Sequence, residues 1–195
     1  LPCQPSDHIL LASRRGKAIR FAAEDVRLFR GRNSVGVRGM RLLNEDKLVS
    51  MCVIRDPEQE FVLSITENGY GKRTSVGEYR KAGRGGQGVA NIETSARNGF
   101  VVASFTVFAE DQLMLVTDAG KVIRIRVDGG EGDVIRIAGR KTQGVRLFEV
   151  DGEEKVVSVG VIRDADDGPD TEDNKTSGEP QDSETDGFSG EQTTE

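Results

Sequence analysis

Apolar and polar residues alternate along most of the chain in short runs, as in ILLASRRGKAIRF (9–21), VLSITENGYGKRTSV (62–76) and LMLVTDAGKVIRIRV (113–127). A period of two over about five to eight residues, rich in β-branched and aromatic side chains, predicts strands with one face against a core. Glycine-bearing turns between the runs predict hairpins. No segment carries the 3.6-residue period of an amphipathic helix over a helical length. The expected fold class is all-β.

The three runs are copies of one pattern. Each reads as an apolar strand, a turn closing on Gly-Lys and a second alternating strand, with the pairs at Gly16-Lys17, Gly71-Lys72 and Gly120-Lys121. Gly-Val then recurs at Gly36, Gly88 and Gly144, opening an expected third strand within 33–42, 85–93 and 141–150. A fourth strand is expected at 47–54, 100–107 and 155–162. Four antiparallel strands repeating about every 50 residues predict the blades of a propeller-like array, each sheet packing its face on the next. The expected divisions are a leading segment 1–8, blades at 9–54, 62–107 and 113–162, and a tail at 163–195. Ile9, Leu11, Ile19, Phe21, Val62, Ile65, Leu113, Leu115, Ile123 and Ile125 are the expected interior residues. Three blades make too short an arc to close a ring, and the first residue is Leu1, so a piece of a longer array is expected.

Charge divides the chain in a way the net value of −6 conceals. Residues 1–162 hold 25 Lys and Arg against 21 Asp and Glu, whereas 163–195 hold 2 against 12. The tail's only large apolar residue is Phe188, too little burial to offset ordering entropy, so a disordered polyanion is expected there. Cys3 and Cys52 have no CxxC or zinc spacing, and His8 is the single histidine. Neither a disulfide framework nor a metal site is expected, and with no membrane-length apolar run a soluble, cytoplasmic protein is. No cluster of histidine, cysteine and carboxylates suggests catalysis. Tryptophan is absent, and with it the Trp-Asp signature of the commonest protein-binding propeller repeat.

RKAGRGGQG (80–88) is not a phosphate-binding P-loop, because no Lys-Ser or Lys-Thr follows the last glycine and a strand comes next, not a helix. Glycines alone suit a long connection that needs positive φ. The charge is what repeats: Arg27, Arg30 and Arg32, then Arg80, Lys81 and Arg84, then Arg136, Arg140 and Lys141 occupy the same connection of successive units. Such repetition lines one rim with cations at intervals suited to a polymer of phosphates, a contact that positions nucleic acid without reading its sequence. Only Phe29 and Tyr79 could stack on bases, so the backbone of a duplex is the expected partner. The candidate DNA contacts are Arg30, Arg32, Arg38, Lys72, Arg73, Arg80, Lys81, Arg84, Arg140, Lys141 and Arg146.

The phrases SRRGKAIRF, SVGVRGMRLLNEDKLVSM, TENGYGKRTSVGEY, ARNGFVVASFTV, VTDAGKVIRIRV and GRKTQGVRLF resemble the carboxy-terminal domains of DNA gyrase A subunits over residues 7–162. The resemblance implies a six-bladed β-pinwheel of which this chain holds the last three blades. It implies a domain that wraps double-stranded DNA around its basic edge for an ATP-dependent type IIA topoisomerase that introduces negative supercoils. The catalytic tyrosine of such an enzyme lies upstream of this segment, and Tyr70 and Tyr79 match blade positions. No cofactor is implied in the segment; ATP and Mg2+ are used through the B subunit of an A2B2 assembly. The family's QRRGGKG-type wrapping box belongs to the first blade, and RKAGRGGQG resembles it only loosely. The A-type subunit of topoisomerase IV and a propeller scaffold for protein partners are the alternatives.

Overall fold

In the computed structural model, residues 2–29, 31–129 and 134–163 are described, all within the unit Leu1–Asp164. Arg30 and the acidic tail beyond Arg163 therefore lie outside the described residues. The alternating runs form antiparallel hairpins. His8–Ser13 (β1) pairs Lys17–Ala22 (β2), with Ile9 opposite Phe21 and Leu11 opposite Ile19. Leu48–Ile54 (β3) runs along the other side of β1. Phe61–Thr66 (β4) and Tyr70–Ser75 (β5) make the second hairpin. After the two-residue Val89–Ala90 (β6) comes Val101–Val107 (β7), which pairs β4. Gln112–Thr117 (β8) and Val122–Arg126 (β9) form the third hairpin, followed by Val145–Arg146 (β10) and Val156–Ile162 (β11), which pairs β8. The helical elements among the described residues are the single 3-10 turns Ala23–Asp25 and Val76–Glu78.

Connectivity crosses the sequence repeat. The strand orders are β3-β1-β2-β6, β10-β5-β4-β7 and β11-β8-β9. The short strand from the second copy thus completes the first sheet, and that from the third completes the second. Gly88 and Gly144 make this exchange possible: with φ of +74° and +76°, their Cα atoms lie so near Ala18 O and Gly71 O that a Cβ would stand 2.3 and 2.6 Å away. Gly36 holds the same left-handed conformation, φ +79°, with nothing within 4 Å. The strand expected at Gly36 is absent, since its counterparts pair with a preceding sheet and no sheet precedes β1 among the described residues.

The hairpin turns also correct the alignment of the copies. Gly16, Gly69 and Gly120 each have φ between +74° and +82°, and each donates its N–H to the carbonyl three residues back at 3.1 Å. Lys17, Tyr70 and Lys121 are therefore equivalent, and Lys72 occupies the place of Ile19 and Ile123. Gly71-Lys72 is not the counterpart of Gly16-Lys17.

The first two sheets bury side chains on both faces, and the third buries one, leaving Met114, Val122 and Val157 exposed. Leu10, Ala12 and Ile54 from the first sheet pack on Val62, Val76 and Tyr79, while Leu63, Ile65 and Val107 pack on Leu113, Leu115 and Val156 from the third. Leu11, Ile19 and Phe21 form a further cluster on the first sheet's other face. Of the expected interior, Ile9, Ile123 and Ile125 are half-buried and the other seven are buried. β9 is the edge of a three-stranded sheet, so its alternate residues gain cover from one side only. Between the first two sheets, Tyr79 Oη donates to Asn91 Oδ1, Asn91 Nδ2 donates to Ser104 Oγ, and Ser64 Oγ donates to Asn91 Oδ1, giving these four buried side chains partners.

Candidate nucleic-acid interface

Arg32, Arg84 and Arg140 each stand four residues ahead of one of the three positive-φ glycines Gly36, Gly88 and Gly144. Since β6 and β10 leave those last two glycines to join successive sheets, Arg84 and Arg140 occupy equivalent places on neighbouring connections. The connections touch. Gly85 N–H donates to Gly39 O at 2.6 Å, Arg41 N–H donates to Gly86 O at 2.8 Å, and Arg84 donates to the carbonyls of Asp25 and Arg38. These bonds bring Arg38 beside Arg84 at the edge of the connection. Arg80 is exposed, and Lys81 keeps its ammonium 3.9 Å from Glu24 with both groups more than half exposed. At the next connection Lys141 is exposed, while Arg140 is largely covered, donating to Ala90 O and lying 4.0 Å from Glu78. Arg32 and Arg146 are exposed.

Two candidates point inward. Lys72 is fully buried, its Nζ donating to Gly139 O at 2.5 Å, and burial lowers its pKa to about 8. Arg73 donates to Ile135 O at 2.8 Å and is 5% exposed. Its counterpart Arg20 donates to Val76 O and Tyr79 O. These two arginines satisfy carbonyls of the next copy's connection, so they fasten one sheet to the next. A period-two pattern cannot separate such an arginine from one that faces solvent when both faces are buried.

Sequence reading named Arg146 but passed over Arg97 and Lys155, which form a second basic corner with it. Arg97, Arg146 and Lys155 surround Tyr70 at the start of β5. The Arg97 guanidinium carbon sits 4.9 Å from the Tyr70 ring centroid, and Arg146 donates to Tyr70 Oη at 3.2 Å. Hydrogen bonding from Arg97 first, and then from Arg146, lowers the phenol's pKa. Lys155 repeats Lys47 ahead of the equivalent strand, but Arg97 has no basic counterpart in the other copies; the cue available for it was its place in a glycine-bearing turn before a strand. Among the described residues no group of three or more His, Cys, Asp or Glu could hold a metal ion, and no helix is long and apolar enough to cross a membrane.

The pattern of the family described as DNA gyrase C-terminal domain, beta-propeller, matches residues 7–54, 60–107 and 111–163. This chain belongs to that family. Relatives of the gyrase domain agree: the DNA gyrase A subunit of Rickettsia conorii is 37% identical over 207 residues, covering 83% of this chain and 22% of the relative. The DNA gyrase A subunit of Klebsiella oxytoca is 45% identical over 153 residues, covering 78% of this chain and 17% of the relative. The chain thus spans about a fifth of the length of these gyrase proteins. A solved DNA gyrase A C-terminal domain superposes with a TM-score of 0.72 at 27% identity, covering 83% of this chain and 52% of that one. The C-terminal domain of DNA topoisomerase IV superposes at 0.73 with 24% identity, over 81% of this chain and 47% of that one, a likeness of fold alone. The all-β blades expected from the sequence are those of the gyrase domain.

Proposed function

We propose that this chain is the DNA-wrapping part of a DNA gyrase A subunit. It holds a duplex by its backbone so that the parent enzyme, an ATP-dependent type IIA topoisomerase, introduces negative supercoils. The observation that carries this reading is the placement of exposed cations on successive connections, Arg32, Arg84 and Lys141 with Arg38 and Arg80 beside them. Cations on successive connections meet phosphates at intervals along a duplex that follows the edge. Bending 20–30 base pairs by 40–90° costs about 1–6 kcal/mol, which several such contacts offset. The segment contributes no catalytic tyrosine and no cofactor site; ATP and Mg2+ act through the B subunits of an A2B2 assembly in the cytoplasm, joined to this segment by the remainder of its own gyrase protein.

Mobility-shift titrations of a random-sequence duplex at several salt concentrations test the reading. The wild-type chain is expected to bind with log K falling linearly with log salt, by about 0.9 per phosphate contact. Reversing charge at Arg80, Lys81 and Arg84 together weakens binding to all duplex sequences alike and flattens the slope. Absent or salt-insensitive binding by the wild type refutes the proposal, and unchanged affinity in the triple variant removes these residues from the interface.

A further inference from the structure

The corner around Tyr70 differs from its two counterparts in a way the fold itself exposes. Tyr70 stands where Lys17 and Lys121 stand in the other hairpins, directly after the turn glycine. In the third sheet the corner closes on itself: Lys121 Nζ donates to Asp151 at 2.5 Å and to Glu154 at 3.0 Å, so its charge is already met. In the second sheet the cations outnumber the carboxylates. Arg97, Arg146 and Lys155 line a cavity of about 200 Å³ whose one acidic wall is Glu149, 3.3 Å from Arg146 and 77% exposed.

Arg97 and Lys155 are held in place by groups that carry no charge, while Arg146 shares the exposed carboxylate of Glu149. Lys155 Nζ donates to Asn68 Oδ1 at 2.6 Å, and the Asn68 amide donates to Ala96 O and Arg97 O, which pins the turn bearing Arg97. Arg97 stacks over the Tyr70 ring, and Arg146 donates to the phenol oxygen. Stacking fixes a guanidinium plane while leaving its N–H edge for another acceptor. The arrangement offers donors from three directions around a space several times the ~30 Å³ of one water.

We infer that this corner is a phosphate seat, in which Arg97, Lys155 and Arg146 grip one tetrahedral oxyanion between the second and third sheets. The inference rests on the DNA-binding reading and adds to it a contact outside the glycine-rich connections. Phosphate is favoured over carboxylate because a tetrahedral group can present separate oxygens to donors converging from different elements, the turn before β7, β10 and the turn before β11. The phosphate can come from a duplex backbone or from the free anion, and the two sources are separable.

The test uses the full chain with Arg97→Gln and Lys155→Gln together. Both side chains are on turns and outside the apolar core, and a wild-type melting temperature verifies folding; Arg97→Lys, which keeps the charge, is the second variant. If duplex phosphate occupies the seat, the double variant binds duplex more weakly, and the slope of log K against log salt drops by about 0.9 for each lost contact. Arg97→Lys then restores most of the slope. A merely structural role for these cations leaves the slope unchanged. In parallel, inorganic phosphate is titrated into the wild type while the Arg97 side-chain NMR resonances are followed. Shifts that saturate, with duplex binding untouched by the double variant, assign the seat to free phosphate. No saturable shift together with an unchanged salt slope overturns the seat, while the gyrase reading survives as long as the wild type binds duplex in a salt-dependent manner. Absence of duplex binding by the wild type instead removes that reading.

Discussion

Replacing Gly88 by alanine should cost far more stability than the same change at Gly36, although the two glycines share a sequence context and a backbone conformation. Their φ angles are +74° and +79°, so an alanine at either site incurs the left-handed penalty of about 1–2 kcal/mol, eased by a smaller unfolded-state gain common to both. At Gly36 nothing else follows, because no atom lies within 4 Å of the added methyl. At Gly88 the methyl would stand 2.3 Å from Ala18 O and 2.7 Å from Ala18 C, both backbone atoms in the middle of a sheet. A backbone contact cannot be relieved by a rotamer change, so β6 must withdraw from β2. The pairs Lys17–Ala90 and Ala18–Val89 then open, and at about 1 kcal/mol net per lost hydrogen bond the total reaches roughly 3–4 kcal/mol. Gly144→Ala repeats the experiment at the second junction, where the methyl would meet Gly71 O at 2.6 Å. Urea titrations followed by far-ultraviolet circular dichroism read the effect as midpoint shifts at constant slope. Gly88→Ala and Gly144→Ala should fall together, well below Gly36→Ala. Equal midpoints for all three variants would refute the strand exchange as the reason these glycines are required.

Burial lowers Lys72 to about 8 from its usual 10.5, so between those values the unfolded chain binds more protons than the folded one and stability rises with pH. Lys72→Met should remove a wild-type rise on the order of 2–3 kcal/mol across pH 8 to 10.5 in urea melts, and parallel pH profiles would contradict this. Cys52 is 6% exposed and burial pushes its thiol up to about 12, whereas Cys3 is exposed. An aromatic disulfide reagent at pH 8 should therefore titrate one thiol at once and the second only in denaturant; two fast equivalents would place Cys52 at the surface. Deleting residues 163–195 removes 12 acidic and 2 basic groups and should strengthen duplex binding, with superimposable isotherms as the opposing result.

The repeat was legible because each copy must satisfy the same local physics: alternation to face two neighbouring sheets, and a glycine where the hairpin turn needs positive φ. The register of the second copy was not legible for a reason built into strands. Sliding the alignment by two residues returns every side chain to the same face, so the hydrophobic pattern cannot tell Gly69 from Gly71 as the turn glycine. The turn decides it, through φ of +74° at Gly69 and its bond to Thr66 O. With the correct register, Lys72 falls in the place of Ile19 and goes into the interior. Strand exchange was hidden for a different reason. β6 and β10 are two residues each, and which hairpin they join depends on packing between sheets rather than on anything local to GQGVA or TQGVR.

That exchange also explains why basic residues read as one repeated class divide into two. A sheet completed by a strand from the next copy leaves the intervening connection lying against it, with carbonyls that need donors. Arg20 and Arg73, at equivalent places on β2 and β5, supply those donors to Val76, Tyr79 and Ile135. Their third counterpart, Arg124, lies on the open edge strand and donates instead to Gln112 Oε1 on its own hairpin. The same residue type at the same position is thus a fastening where a further copy follows and an edge cation where none is described. The connection itself, once fastened, has its outward side chains fixed by the backbone rather than by their own pairing. Arg80 and Lys141 stay exposed for this reason, and a cation held at an edge by a rigid connection, without a buried partner of its own, is free to meet a phosphate.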